Sequence, residues 1–104
     1  MIQIHVDMSV DPAKEWQMQQ DFETHFKPAA ALFAGYMDVK IVKLRKAFVG
    51  RAPEGVNYRF VLRYESEELR QKWITSTAHQ HVWPLVERTM TTQKDYPVVL
   101  YDEV

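Results

Sequence analysis

Residues 2–8, IQIHVDM, alternate without a break. Ile2, Ile4, Val6 and Met8 fall on one side, and Gln3, His5 and Asp7 on the other. A period of two fits a strand with one apolar face and does not fit a helix with one. A helix start follows directly. Asp11 can cap, and Pro12 suits the first helical position, where an N–H would be unpaired anyway. Met18, Phe22 and Phe26 then recur every fourth residue, with Trp16 to one side; this is the apolar stripe of an amphipathic helix. Pro28 predicts a break or restart, AAALFAG a short continuation, and Gly35 the stop.

The switch between the two periods then repeats. YMDVKIVKLRKAFV (36–49) reads as a long second strand whose apolar phase flips near Ile41–Val42, which predicts a bulge or sharp twist there. GRAPEG (50–55) has the chemistry of a loop. VNYRFVLRYE (56–65) is the third strand, with Tyr58, Phe60, Leu62 and Tyr64 on one face. Ser66 caps a helix that carries Glu67 and Glu68 in its first turn, where carboxylates suit the dipole. The acidic run YESEEL is read as no more than that helix start. STAHQHVWPLVERTM restarts after a kink, with Val82, Leu85, Val86 and Met90 inward, and YPVVLYDEV (96–104) is the last strand.

The order β-α-β-β-α-β over residues 1–104 predicts a single α+β, ferredoxin-like domain: a four-stranded antiparallel sheet with helices on one face. The other face is expected to show His5, Asp7, Arg59, Arg63, Tyr36, Asp38 and Lys40, with apolar residues between them. A face so mixed predicts a lined surface closed by a second copy. A chain of 104 residues has little core to spare, which also favours association.

Composition removes several classes of function. The net charge is −1, so no field draws the protein to nucleic acid or anionic membrane. The absence of cysteine removes disulfides, thiolate metal sites and a cysteine nucleophile. MIQIHVDMSV lacks the basic and apolar regions of a signal peptide, and no apolar run nears the roughly 20 residues of a membrane span. A cytoplasmic protein without membrane or nucleic-acid partners is expected. The topology is shared with RNA-recognition motifs, but GVNYRFVLR lacks the glycines and the closing aromatic of their third strand.

The segment KWITSTAHQHVWPLVE (72–87) holds the densest chemistry. Residues i and i+2 of a helix point about 200° apart, so His79 and His81 cannot chelate one ion, and no metal site is expected. One histidine should point inward and be hydrogen-bonded, the other should be solvated. An inward histidine beside Trp73 can serve as acid or base, because its pKa lies near neutral. Trp73 and Trp83 read first as core anchors, and Tyr36, Tyr58 and Tyr64 as packing.

The order and spacing of four segments resemble the antibiotic-biosynthesis-monooxygenase-like group of dimeric α/β-barrel proteins. These are DPAKEWQMQQDF after the first strand, AGYMDVKIVKL, YRFVLRYESEELRQKW, and the run of Trp73, Ser76 and His79. The resemblance implies a homodimer joined through the sheets and a pocket between each sheet and its own helices. It also implies oxidation of a small phenol- or quinol-type aromatic by O₂ with no cofactor. In that scheme Trp73 orients the substrate and His79 or His5 handles a proton. Arg59 stabilises negative charge, and Tyr36, Phe22 and Trp83 complete the substrate-binding set. A haem-degrading branch of the same superfamily is the alternative. AHQHV is similar to its haem-ligating segment and would place His79 on the iron. Against it, the spacing from Trp73 is shorter by about one helical turn, and His5 and Asp7 stand where that branch has an asparagine. A third reading is a dimer that binds a small molecule without catalysis.

Overall fold

A computed structural model describes residues 1–91 and 95–104. Strand β1 (Ile2–Met8) alternates buried and half-buried residues along its whole length, as the sequence pattern requires. It lies inside the sheet, whose order is β2-β3-β1-β4, with β2 at Tyr36–Lys43, β3 at Tyr58–Tyr64 and β4 at Val98–Asp102. All three pairings are antiparallel. The helices are α1 (Glu15–Asp21), α2 (Lys27–Ala30), α3 (Glu67–Ile74) and α4 (Thr77–Glu87). This is the ferredoxin-like β-α-β-β-α-β topology. Ile2, Ile4, Val6 and Met8 bury with Phe22, Phe26, Phe60 and Trp73 in one core.

The first helical segment opens as expected: Asp11 accepts a hydrogen bond from the Ala13 N–H at 3.0 Å, and a 3-10 turn at Pro12–Lys14 leads into α1. Pro28 does not break the segment. A π-helical turn over Phe22–Phe26 joins α1 to α2, with the Lys27 N–H donating to the Phe22 carbonyl. Proline has no N–H to donate, and its ring crowds the carbonyl four residues back. A widened turn just before Pro28 avoids both problems, so the chain stays helical.

The second strand departs from expectation in two ways. It ends at Lys43, so Leu44 and Phe48 are exposed and lie outside any strand. The register shift lies between Tyr36 and Asp38, not at Ile41–Val42. Met37 is the extra residue. Tyr36 therefore pairs with Tyr64 and faces the helices together with Val39 and Ile41, while Asp38, Lys40 and Val42 face the other way. The apparent flip at Ile41–Val42 was the strand ending, not a bulge. β3 and β4 are likewise shorter than predicted, because their flanking residues pair irregularly. Asn57 extends the sheet through its side chain: its amide donates to the Val10 carbonyl and accepts from the Val10 N–H, both at 2.8 Å.

The last two helices follow the sequence closely. Ser66 accepts from the Leu69 N–H to start α3, and Ser76 accepts from the His79 N–H at 3.1 Å to start α4. Ser76 also donates to the Trp73 carbonyl at 2.6 Å. A single hydroxyl thus ends one helix and begins the next, which is the predicted kink.

Gly35 gives a direct test of this packing. Its φ is +89°, and an added Cβ would sit 2.7 Å from Leu69 Cδ1 and 2.8 Å from Leu69 Cβ. Left-handed strain and overpacking add, so Gly35→Ala should lose about 2–4 kcal/mol in urea denaturation. Gly50, at φ +70° with nothing within 4 Å of such a Cβ, should lose only about 1 kcal/mol from the backbone.

Candidate functional site

Between the sheet and α3–α4 lies a cavity of about 100 Å³. Ile4 and Val6 of β1, Phe60 and Leu62 of β3, Val98 of β4 and Phe26 of the π turn form its floor and sides. Trp73, Ile74, His79 and Trp83 close it from the helices, with Arg70 and Tyr96 completing the lining. Val98 is 56% exposed, so the cavity opens past the edge strand. The aromatic rings meet edge to face. Phe26 lies 5.3 Å from Phe60, 5.7 Å from Trp73 and 6.0 Å from Trp83, centroid to centroid. Such contacts each add about 0.5–1.5 kcal/mol beyond buried area and hold the wall rigid.

His79 is the inward histidine. Its ring stands edge-on to Trp73 at 5.1 Å and lies parallel to Trp83 at 6.2 Å. Contrary to expectation, this inward ring makes no hydrogen bond to the described residues. The exposed histidine does: His81 Nδ1 sits 2.8 Å from the Thr77 carbonyl. Helix geometry explains the split, since α4 turns one imidazole to the core and the other to solvent. Burial lowers the His79 pKa below the ordinary imidazole value, and the Arg70 guanidinium pushes it the same way. His79 is therefore a neutral base with a free nitrogen.

Of the residues singled out from sequence, Trp73, His79 and Trp83 converge here. Phe22 lies behind the wall, its ring 5.7 Å from Phe26 and 6.3 Å from Phe60. Three others do not belong to the cavity. His5 faces the opposite side of the sheet, opposite Val61 and Val99, with Nε2 2.8 Å from Gln3 Oε1. Arg59 is on that same face, held by Asp7 at 2.7 Å. Tyr36 reaches the helix side through the Met37 bulge but packs on Tyr64 at 6.4 Å instead of lining the cavity. Strand alternation sets the first two, since Arg59 and His5 are out of phase with Phe60 and Ile4.

Sequence reasoning missed Arg70 and Tyr96. The Trp83 indole N–H donates to Tyr96 Oη at 2.9 Å, and that hydroxyl in turn donates to Glu87. Burial and the bond to Glu87 push the Tyr96 hydroxyl up to about 12, so it stays protonated. The Trp73 indole N–H is different: it is buried and has no acceptor among the described residues. No three His, Cys, Asp or Glu side chains converge among the described residues.

No protein-family model matches the sequence, and no curated protein does. Solved structures do. A "dimeric ferredoxin-like protein of unknown function" from Jannaschia sp. CCS1 superposes with a TM-score of 0.80 at 12% identity, over 98% of each chain. A "putative antibiotic biosynthesis monooxygenase" from Bordetella bronchiseptica superposes with a TM-score of 0.74 at 18% identity, over 99% of this chain and 96% of that one. A protein of the same description from Nitrosomonas europaea gives 0.74 at 13% identity, over 100% and 99%. The chain has the fold of proteins named for that activity.

The lowered His79 pKa fixes the sign of a pH effect. Above the unfolded value of 6.5 both states carry a neutral imidazole, and stability is complete. As pH falls below 6.5 the unfolded chain takes the proton first, so stability drops until the folded value is passed. Urea denaturation across this window should show that drop, and His79→Gln should flatten it. His5, also lowered by burial, should leave a residual slope.

Proposed function

We propose that this protein oxidises a small phenol- or quinol-type aromatic with O₂, as a cofactor-free monooxygenase-like enzyme that works as a homodimer. The observation that carries this reading is His79: a neutral, unpaired imidazole set between Trp73 and Trp83 in a largely apolar cavity. His79 takes the phenolic proton. The electron-rich ring then donates to O₂: a C–O bond forms at the carbon para to the oxygen, that carbon loses its proton, and the O–O bond breaks with release of water. Phenol and O₂ give quinone and water, and all four electrons that reduce O₂ come from the substrate. Trp73 orients the ring by its fixed position, and the aromatic wall keeps water away from the reactive anion. A dry engineered cavity of about 150 Å³ holds one benzene ring; at about 100 Å³ this cavity takes no more than a single ring, and only with part of the molecule projecting past Val98 and Tyr96.

The haem reading finds part of what it needs, since His79 faces inward with a free nitrogen. The volume does not agree. Ligand pockets run to about 300–1,000 Å³, and a porphyrin does not fit a space of about 100 Å³ walled by two tryptophans. Adding haemin should give no Soret shift. A cavity without converging polar groups would favour a non-catalytic binding dimer; here His79 and Arg70 both line it, which supports the enzyme reading.

The bare sheet face supports the second copy. Two ion pairs lie within the face, Asp7 to Arg59 and Glu103 to Arg63, each at 2.7 Å, and Asp38 and Lys40 add one charge of each sign. A symmetric dimer sets the same patch against itself, and a patch whose charges balance in sign carries little net repulsion against its copy. Val99 and Tyr101 stand exposed beside these pairs. The neighbour from Jannaschia sp. CCS1 is described as dimeric.

Oxygen uptake with single-ring phenols and quinols tests the chemistry. Uptake should match quinone formed, and His79→Gln should lower kcat about a hundredfold; an unchanged rate removes His79 from the reaction. Solution mass should give twice the chain mass of 12.3 kDa, and Val99→Arg should give the single chain.

A further inference from the structure

The cation expected to meet a substrate anion, Arg59, lies on the wrong face of the sheet. The cavity lining nevertheless includes an arginine. This is Arg70, with its side chain only 12% exposed. Glu67, one turn back on α3, takes Arg70 Nε and Nη2 at 2.6 and 2.7 Å. Gln71 donates to the same carboxylate at 2.6 Å. The guanidinium is thus clamped by one edge. Arginine carries five N–H donors in a fixed fork, and two serve Glu67. Nη1 makes no hydrogen bond to the described residues.

We infer that Arg70 is the anion-binding residue of this cavity, and that it selects ligands carrying an ionised oxygen on a single aromatic ring. The inference rests on the aromatic-cavity reading above. Glu67 does not cancel Arg70 for a ligand inside. Its side chain is 36% exposed against 12% for Arg70, so water screens Glu67 more than it screens Arg70. Besides Arg70, the lining carries the polar groups of His79 and Tyr96 and the indole N–H groups of Trp73 and Trp83. His79 is neutral and Tyr96 protonated, so neither opposes an anion. The remaining wall is carbon, where an attraction between opposite charges is several times stronger than in water. A phenolate or ring carboxylate can dock on the free edge of Arg70 with its ring against Trp73 and Trp83.

The arrangement also divides the labour of the proposed reaction. His79 accepts the proton, and Arg70 holds the charge left behind. Arg70 acts on the ligand directly, while Glu67 is a positioning residue that acts through Arg70.

The test uses p-nitrophenol, whose ionised form absorbs visible light away from the protein, and p-nitroanisole as its neutral match. It is run in the His79→Gln background, so that the imidazole takes no part. The acid constant of bound p-nitrophenol should be at least about tenfold larger with Arg70 than in Arg70→Met, the size expected for one opposite charge nearby. Arg70→Lys should restore most of the effect, and Glu67→Gln should give an intermediate value. p-Nitroanisole should bind all variants with one Kd. Should Arg70→Met fail to fold, Arg70→Gln replaces it with the same expectation. Equal acid constants with and without Arg70 would overturn the inference and leave the aromatic cavity standing, as would a parallel loss of anisole affinity. If neither probe binds the protein with its native Arg70, the cavity reading falls and takes this inference with it.

Discussion

The architecture depends on one ring. Phe26 touches the sheet through Phe60, the second helical layer through Trp73 and Trp83, and its own segment through Phe22. Each contact is worth about a kcal/mol beyond burial. Their sum matters less than their geometry, because edge-to-face rings fix both distance and angle. Phe26 is also the last residue of the π turn, so the irregularity that admits Pro28 lies beside the ring that joins the layers. A regular helix through Pro28 would have to move that ring or kink. The cavity exists because Phe26 props the two layers apart on one side.

The kink between α3 and α4 brings Arg70, Trp73 and His79 together. Ser76 accepts from the His79 N–H and donates to the Trp73 carbonyl. That pair of bonds places His79 in the first turn of α4, directly over the last turn of α3. The imidazole then stands edge-on to Trp73 at 5.1 Å. An unkinked helix would spread Arg70, Trp73 and His79 along one axis, and their side chains would not converge on one space.

Much of this was legible in the sequence. The period-two run of β1, the aspartate cap before Pro12, the serine caps at Ser66 and Ser76 and the kink between the last helices all rest on local rules, and local rules are what a sequence displays. Helical spacing lets Trp73 and Trp83 both face the sheet, but it leaves open which histidine turns inward, and only the family resemblance points to His79. What failed depended on tertiary pairing. The bulge at Met37 has no residue signature, so Tyr36 was placed on the wrong face. Leu44 and Phe48 imitate a strand but lie beyond its end. Arg59 lies on the outer face, where its parity places it, and only the family resemblance draws it toward the cavity. Arg70 is not singled out by the helix that starts at Ser66, although it lies three residues before Trp73 and therefore on the same side of α3. Tyr96 was read as the first residue of a strand, and only the fold reveals that its hydroxyl meets Trp83.

The edge strand gives the cavity an unusual boundary. Val98 is both the last rung between β4 and β1, opposite Val6, and part of the rim. All five residues of β4 are exposed, so few contacts besides that ladder secure them. The rim of the cavity and the outer rung of the sheet are thus one piece of structure, and a change of side chain at Val98 alters both.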